Sequence, residues 1–149
     1  MRPLSFLVAL LVVAGCDTLM DGPETVVTRQ LGVFLPSETA PLTVPDTVMV
    51  EESFRVIVTT FGGACESAPG DVEVEREGLA VTLRPYDVSL VPVGGACIFP
   101  QREFPRTVVV RFYEPGPAVV RAVGRDGFGA DTGELEVERT VVVVPRAER

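Results

Sequence analysis

Hydrophobic and polar residues alternate along most of the chain after residue 24, in short segments separated by proline and glycine. In Phe54–Val58 the residues Phe, Val and Val share one face, and Thr107–Tyr113 repeats this pattern around Arg111. Successive side chains of a β-strand point to opposite faces, so this period of two predicts strands with one buried and one solvated face. No segment shows a persuasive helical period. The predicted strands are Thr25–Leu35, Leu42–Val50 (with Pro45 as a point where it can break), Phe54–Thr60, Asp71–Glu77, Ala80–Arg84, Val88–Val93, Thr107–Tyr113, Ala118–Gly124 and Glu134–Val144.

Eight or nine short strands in about 120 residues predict a single all-β domain, an antiparallel β-sandwich with one wet and one dry face on each sheet. The stretch VPDTVMVEESFRVIVTTFG resembles the first two strands of immunoglobulin-like domains of the bacterial exported type. GPAVVRAVGRDGFGADTGELEVERTVVVV is similar to their last two strands, joined by a glycine-rich turn. The resemblance covers Val44–Val144 and implies an immunoglobulin-like β-sandwich, although the Cys…Trp…Cys arrangement of antibody domains is missing.

An apolar run from Leu4 to Ala14 follows the single basic side chain of Arg2. As a helix it would span roughly 16 Å, about half of a hydrocarbon core near 30 Å. The run is therefore too short to cross a bilayer, and it has the length of the apolar region of a secretory signal.

The residues Val13-Ala14-Gly15-Cys16 resemble the lipobox of bacterial lipoproteins. That resemblance implies that diacylglycerol is attached to the Cys16 thiol, that the chain is cut before Cys16, and that the new amino terminus is acylated, commonly with palmitate. Two or more acyl chains hold a protein firmly on a membrane. In some bacteria an Asp after the lipidated cysteine, here Asp17, retains the protein in the inner membrane.

Two other interpretations of the N-terminus remain open, namely ordinary signal cleavage after Ala14 and a cytosolic chain with a buried cysteine. Under the lipoprotein interpretation the chain divides into a removed signal at residues 1–15, a lipidated cysteine and tether at 16–23, a β-sandwich domain at 24–146, and a charged tail at 147–149.

The composition excludes several functions. The chain has a net charge of −8, all of its basic residues are Arg, and it contains no Lys, His, Trp or Asn. Without His or Lys there is no Ser-His or Ser-Lys nucleophile, no Schiff base and no P-loop. An acidic chain is also a poor partner for nucleic acid. No cofactor is expected.

Once Cys16 is assigned to the anchor, Cys65 and Cys97 remain as an even pair in an oxidising compartment. A disulfide between them would close a loop of about 33 residues and contribute roughly 3–4 kcal/mol. Free thiols and a metal site are the alternatives, but a metal would need carboxylates to complete its ligands because His is absent.

Three further groups could carry chemistry. Asp126, Asp131 and Glu134 lie in a glycine-rich segment that could bind calcium or form a plain hairpin turn. Asp71, Glu73 and Glu75 alternate along a strand and are expected to form a solvated face rather than an acid–base pair.

The segment from Cys97 to Pro105 carries Phe99 and Phe104, each followed directly by a proline. They could form a stiff apolar contact loop, because pre-organisation lowers the entropic cost of binding. The alternative is that both rings plug one end of the sandwich.

These features predict a non-enzymatic structural or protein-interaction module on the cell envelope, facing the periplasm or the exterior. Its expected partners are the membrane, through the lipid on Cys16, and another envelope protein. The alternatives are a module that binds a small molecule, glycan or ion at the end of the sandwich, and a carboxylate-dependent hydrolase.

Overall fold

The computed structural model describes residues 25–36, 39–63, 67–92, 101–128 and 132–146, and within them the chain is all-β. Ten strands run in chain order: β1 Thr25–Leu31, β2 Val33–Phe34, β3 Leu42–Thr43, β4 Thr47–Met49, β5 Ser53–Gly63, β6 Ser67–Glu77, β7 Ala80–Pro92, β8 Gln101–Arg111, β9 Gly116–Asp126 and β10 Glu134–Val144. None of the described ranges contains a helix that could cross a membrane. The predicted signal helix lies outside them.

The strands form one curled sheet with two halves. One half runs β6–β7–β9–β10–β4, and the other runs β3–β5–β8. The short strand β2 joins the halves, because it pairs with β5 through Val33 and with β9 through Val33 and Phe34. β1 pairs with the C-terminal part of β7.

The sheet is mixed, so the expectation of a purely antiparallel sheet is wrong. β4 runs parallel to β10, β2 parallel to β9, and β7 parallel to β9. Parallel neighbours need a long connection between them. Each of these pairs joins strands that are separated in the chain by other strands.

The core lies between the two halves and is built from the inward-facing residues that the alternation predicts. β5 contributes Phe54, Val56 and Val58, all buried. The rings of Phe54 and Phe112 pack with their centroids 5.7 Å apart. The remaining buried core residues are Phe34, Leu42, Val48, Val81, Leu83, Val110, Ala118, Val120, Ala122, Val141 and Val143.

Most predicted strands are confirmed, and the differences have local causes. The predicted strand Leu42–Val50 does break at Pro45, and its parts pair with opposite halves of the sheet as β3 and β4. The two segments predicted at 80–84 and 88–93 form one strand, β7, because β1 and β6 pair with it across residues 85–87.

A close backbone approach in the core occurs at Gly124 of β9. A Cβ atom at this position would lie 2.7 Å from the ring of Phe34 and 2.9 Å from the carbonyl oxygen of Gly32. Phe34 is completely buried and has no room to move aside. Gly124 is therefore needed for β2 to pack on β9.

We expect Gly124→Ala to lower the free energy of unfolding by about 1–3 kcal/mol through overpacking. The matched control is Gly133→Ala, because a Cβ at Gly133 meets nothing within 4 Å. That variant should stay within about 0.5 kcal/mol of the wild type. Urea unfolding of both variants measures the difference, and equal effects would contradict the packing of Phe34 against Gly124.

Candidate functional site

The apolar interior ends in a layer of polar side chains. The inward face of β7 carries Val81, Leu83, Pro85 and Asp87 in turn. Three buried apolar residues are therefore followed by a buried carboxylate. Asp87 is only 3% exposed. A buried charge of this kind is costly unless it is paired and hydrogen-bonded.

Asp87 forms a buried ion pair with Arg106 of β8. The Arg106 Nη2 atom lies 2.9 Å from Asp87 Oδ1. The hydroxyl of Thr60, on β5, donates to the same carboxylate oxygen at 3.0 Å, and Arg106 Nη2 also contacts that hydroxyl. The three side chains connect β7, in one half of the sheet, to β5 and β8 in the other half.

Arg106 also donates to a backbone carbonyl at a β-bulge. The pairing of β6 with β7 shifts between Pro69 and Val72, so two residues of β6 face Tyr86. Arg106 Nη1 donates to the Tyr86 carbonyl at 2.6 Å. A Cβ at Gly70 would lie 2.6 Å from that same oxygen, so the bulge requires glycine there.

Burial opposes the charged forms of both partners. It raises the pKa of Asp87, and the nearby charge of Arg106 and the Thr60 hydrogen bond offset part of this effect. The more distant charge of Arg125 acts in the same direction as Arg106. Burial also lowers the pKa of Arg106. A general acid or base must reach the proton it transfers, and Asp87 is enclosed, so this layer holds strands together rather than performing catalysis.

The predicted carboxylate face on β6 is exposed, and its charges are held by arginine. Arg29 of β1 lies 2.9 Å from Asp71 and 2.7 Å from Glu73, and its guanidinium carbon lies 3.3 Å from the centroid of the Tyr86 ring. The hydrogen bond from Arg29 lowers the pKa of Asp71. A general acid at neutral pH needs the opposite shift.

Two shallow depressions occur on the described surface. One of about 240 Å³ lies on the outer face of β6, β7, β9 and β10 and is lined mainly by Glu75, Glu77, Arg84, Arg121 and Glu136. The other, of about 220 Å³, lies between the β6–β7 turn and the end of β8. The first also contains Thr82, which lies opposite Glu75 in the pairing of β6 with β7.

Phe104 of the predicted contact loop is buried, with 7% exposure. It lies beyond the polar layer and packs on Gly62, where a Cβ would come within 2.3 Å of its ring. Phe104 therefore plugs this end of the interior, as the alternative to the contact loop requires. Phe99 lies outside the described residues.

The structure does not bring the described members of the calcium hypothesis together. Glu134 pairs with Arg125 across the β9–β10 hairpin. Asp126 follows Arg125 directly in β9, so its side chain points to the face of the sheet opposite to that of Arg125 and Glu134. The described residues contain no group of three side chains that could hold a metal ion. Asp131 lies outside them, and the calcium site stays a prediction.

The cysteine predictions cannot be compared with the described geometry. Cys16, Cys65 and Cys97 all lie outside the described residues. The lipid attachment and the disulfide therefore stay predictions.

Sequence reasoning missed the Asp87–Arg106 layer. The alternation predicts a break at residues 85–87 and a strand that begins directly after Arg106. The detectable signal was the inward register: continuing the alternation from Val81 and Leu83 places Asp87 on the core face.

Comparison with known proteins found no matching family model, no similar curated protein and no similar solved structure.

We expect Arg106→Met to lower the free energy of unfolding by about 3–5 kcal/mol, because it leaves the buried Asp87 carboxylate without its partner. Adding Asp87→Asn should recover part of the loss, since the double variant buries no charge. Urea unfolding of both single variants and the double variant tests this coupling. Strictly additive effects would show that the pair does not act as a unit.

The raised pKa of Asp87 also predicts that the free energy of unfolding depends on pH. The folded protein binds a proton at pH values where the unfolded carboxyl, with its ordinary pKa of 3.8, is ionised. The stability that this group contributes is therefore fully present below 3.8 and is lost as the pH rises through the folded pKa. Asp87→Asn should remove this component, whereas Arg106→Met should extend it toward neutral pH. Unfolding at several values between about pH 4 and about pH 7 measures both.

Proposed function

We propose that this chain is a lipid-anchored, non-enzymatic module of the cell envelope that acts through structural or protein–protein contacts. The observation that carries the proposal is that the carboxyls with shifted pKa values are engaged in ion pairs within the domain. Among the described residues, the enclosed carboxylate of Asp87 is engaged by Arg106 and Thr60, and the lowered pKa of Asp71 comes from a surface ion pair. The perturbed carboxyls thus serve the fold, and the outer surface is what remains for function.

The anchor proposal rests on the lipobox-like residues that end at Cys16. β1 begins at Thr25, nine residues further along the chain. Nine residues extend at most about 30 Å, so the domain would stay close to the membrane. Thr25 pairs with Pro92, and Gly63 pairs with Gln101, at the same end of the sheet as Phe104. This end would face the lipid, with the β6–β7 turn pointing away.

We also propose that the all-β domain is an immunoglobulin-like sandwich. In that fold one sheet contains the first, second and fifth strands, and the last two strands lie together in the other. The order β3–β5–β8 and the β9–β10 hairpin support this assignment. The parallel pairing of β7 with β9 departs from it.

A disulfide between Cys65 and Cys97 remains part of the proposal. The segment with Cys65 joins β5 to β6, and the segment with Cys97 joins β7 to β8. All four strand ends lie at one end of the sheet, because Gly63 pairs with Gln101 and Ser67 pairs with Ser89.

The alternative proposal, a ligand-binding module at the end of the sandwich, has less support. It would use exposed aromatic rings, and Phe104 is instead buried against Gly62. It would also gain from converging carboxylates, whereas the register of β9 and β10 separates Asp126 from Glu134.

We expect Cys16→Ser to abolish incorporation of a labelled fatty acid and to release the chain from the membrane fraction. Chemical crosslinking of the full chain in intact cells, followed by mass spectrometry, should give defined protein adducts that Cys16→Ser loses. Cys65→Ser is the control and should keep both the label and the membrane association. Unchanged membrane partitioning of Cys16→Ser would contradict the anchor, and a full absence of defined adducts would contradict the interaction role.

A further inference from the structure

An uncharged surface lies on the outside of the sheet at the end furthest from Thr25. It is formed by outward-facing residues of β4, β9 and β10, and we call it the neutral face: Thr47, Met49, Pro117, Thr140, Val142 and Val144. Met49 is 42% exposed and Val142 is 49% exposed. Such exposure is unusual for large apolar side chains that lie side by side.

The register makes the neutral face continuous across the three strands. Val142 lies opposite Thr47 of β4 on one side and opposite Pro117 of β9 on the other. Val144 lies opposite Met49. Neighbouring strands of a sheet lie about 5 Å apart, so these side chains form one surface.

The outer face of β9 and β10 carries charged side chains next to the neutral face. Further along the same outer face, Arg121 forms ion pairs with Glu136 and Glu138. The other exposed apolar residues on strands of the opposite half are different, because Ile57 and Val109 alternate with Arg55 and Arg111. Within the described outer surface of the strands, the neutral face thus combines apolar exposure with freedom from charge.

We propose that a second copy of this chain packs on the neutral face, forming a two-fold symmetric dimer. The inference rests on the proposed function, since it names the partner for a module that acts through protein contacts. A copy with a net charge of −8 is repelled by another copy wherever their acidic surfaces meet. An uncharged surface removes that repulsion, and a two-fold dimer brings the same patch of both copies together.

The make-up of the surface fits this partner. Homodimer interfaces have an apolar centre depleted of charge and enriched in Met, surrounded by a polar rim. Met49 and Val142 supply the centre, and Arg121 and Glu138 supply a rim with both signs of charge. Two sheet faces can pack on each other with interdigitating side chains, as the sheets of a sandwich do.

The position of the neutral face also fits two copies anchored in one membrane. β7 begins at Ala80 beside Val119 and ends at Pro92 beside Thr25. The neutral face lies at the Ala80 end, so a nearby lipid surface would leave it accessible.

The test uses the full chain purified in detergent, with a photo-crosslinking amino acid at position 142 or, as a control, at position 109 on the opposite half. We expect an adduct of twice the chain mass from position 142 and none from position 109. Met49→Glu should reduce the dimer adduct at least about tenfold, because like charges would meet at the two-fold axis. Met49 is exposed, so the melting temperature of this variant should match the wild type.

Absence of a dimer adduct from position 142, or an equal yield from position 109, would overturn the proposal. An adduct formed in cells between position 142 and a different protein, without dimer, would also overturn it while supporting the proposed interaction role. Failure of the Cys16→Ser experiment would remove the anchor and leave the dimer standing, so the two proposals fail separately.

Discussion

The buried contact between Asp87 and Arg106 is the interaction on which the packing of β7 against β8 depends, on the side of the sheet that the backbone pairing of β2 does not join. In the described part of the chain, β6 and β8 do not pair with each other, so backbone hydrogen bonds do not close the sheet along these edges. Arginine side chains bridge the gap instead. Arg106 reaches from β8 to the carboxylate and carbonyl of β7, and Arg76 of β6 donates to the Val109 carbonyl of β8 at 3.2 Å. Burying both charges is costly, and Arg106 Nε has no hydrogen-bond partner among the described residues, so the contacts with Asp87, Thr60 and the Tyr86 carbonyl must offset the cost. The pair therefore fixes how β7 and β8 lie relative to each other.

In this layer the raised pKa of a buried carboxyl has a structural origin. A carboxyl with a raised pKa is often a sign of catalysis, but structural ion-pair networks perturb pKa values as well. Here the cause of the shift is burial, and the partners that offset it are Arg106 and Thr60. On the outer face, Arg29 lowers the pKa of Asp71 and so keeps it ionised. Asp87 and Asp71 are thus engaged in ion pairs, and the outer surface of β9 and β10 divides into a charged part and the neutral face.

The alternation of apolar and polar residues predicted most strands, because the polarity of each residue indicates whether its side chain faces the core or solvent. It located β5, β9 and β10 and marked the break at Pro45. It failed at residues 85–87, which the predicted strands Ala80–Arg84 and Val88–Val93 leave out and which lie within β7. Asp87 occupies a core position only because Arg106, nineteen residues away in the sequence, and Thr60 meet it there. Phe104 is buried, and a local pattern does not distinguish an apolar side chain that fills the end of the interior from one that contacts a partner.

The sequence by itself determined the all-β class, the position of most strands, the acidic charge and the absence of His and Lys chemistry, because these are properties of composition and of a period of two. It also carries the lipobox-like motif at Cys16 as a prediction. Only the tertiary structure decided which strands are neighbours, which of them run parallel, and where the buried charges meet. The neutral face joins Thr47 and Met49 to Val142 and Val144, which are almost a hundred residues distant in the chain. Such contacts depend on non-local pairing and packing, and the alternation within a single strand contains no information about its neighbours.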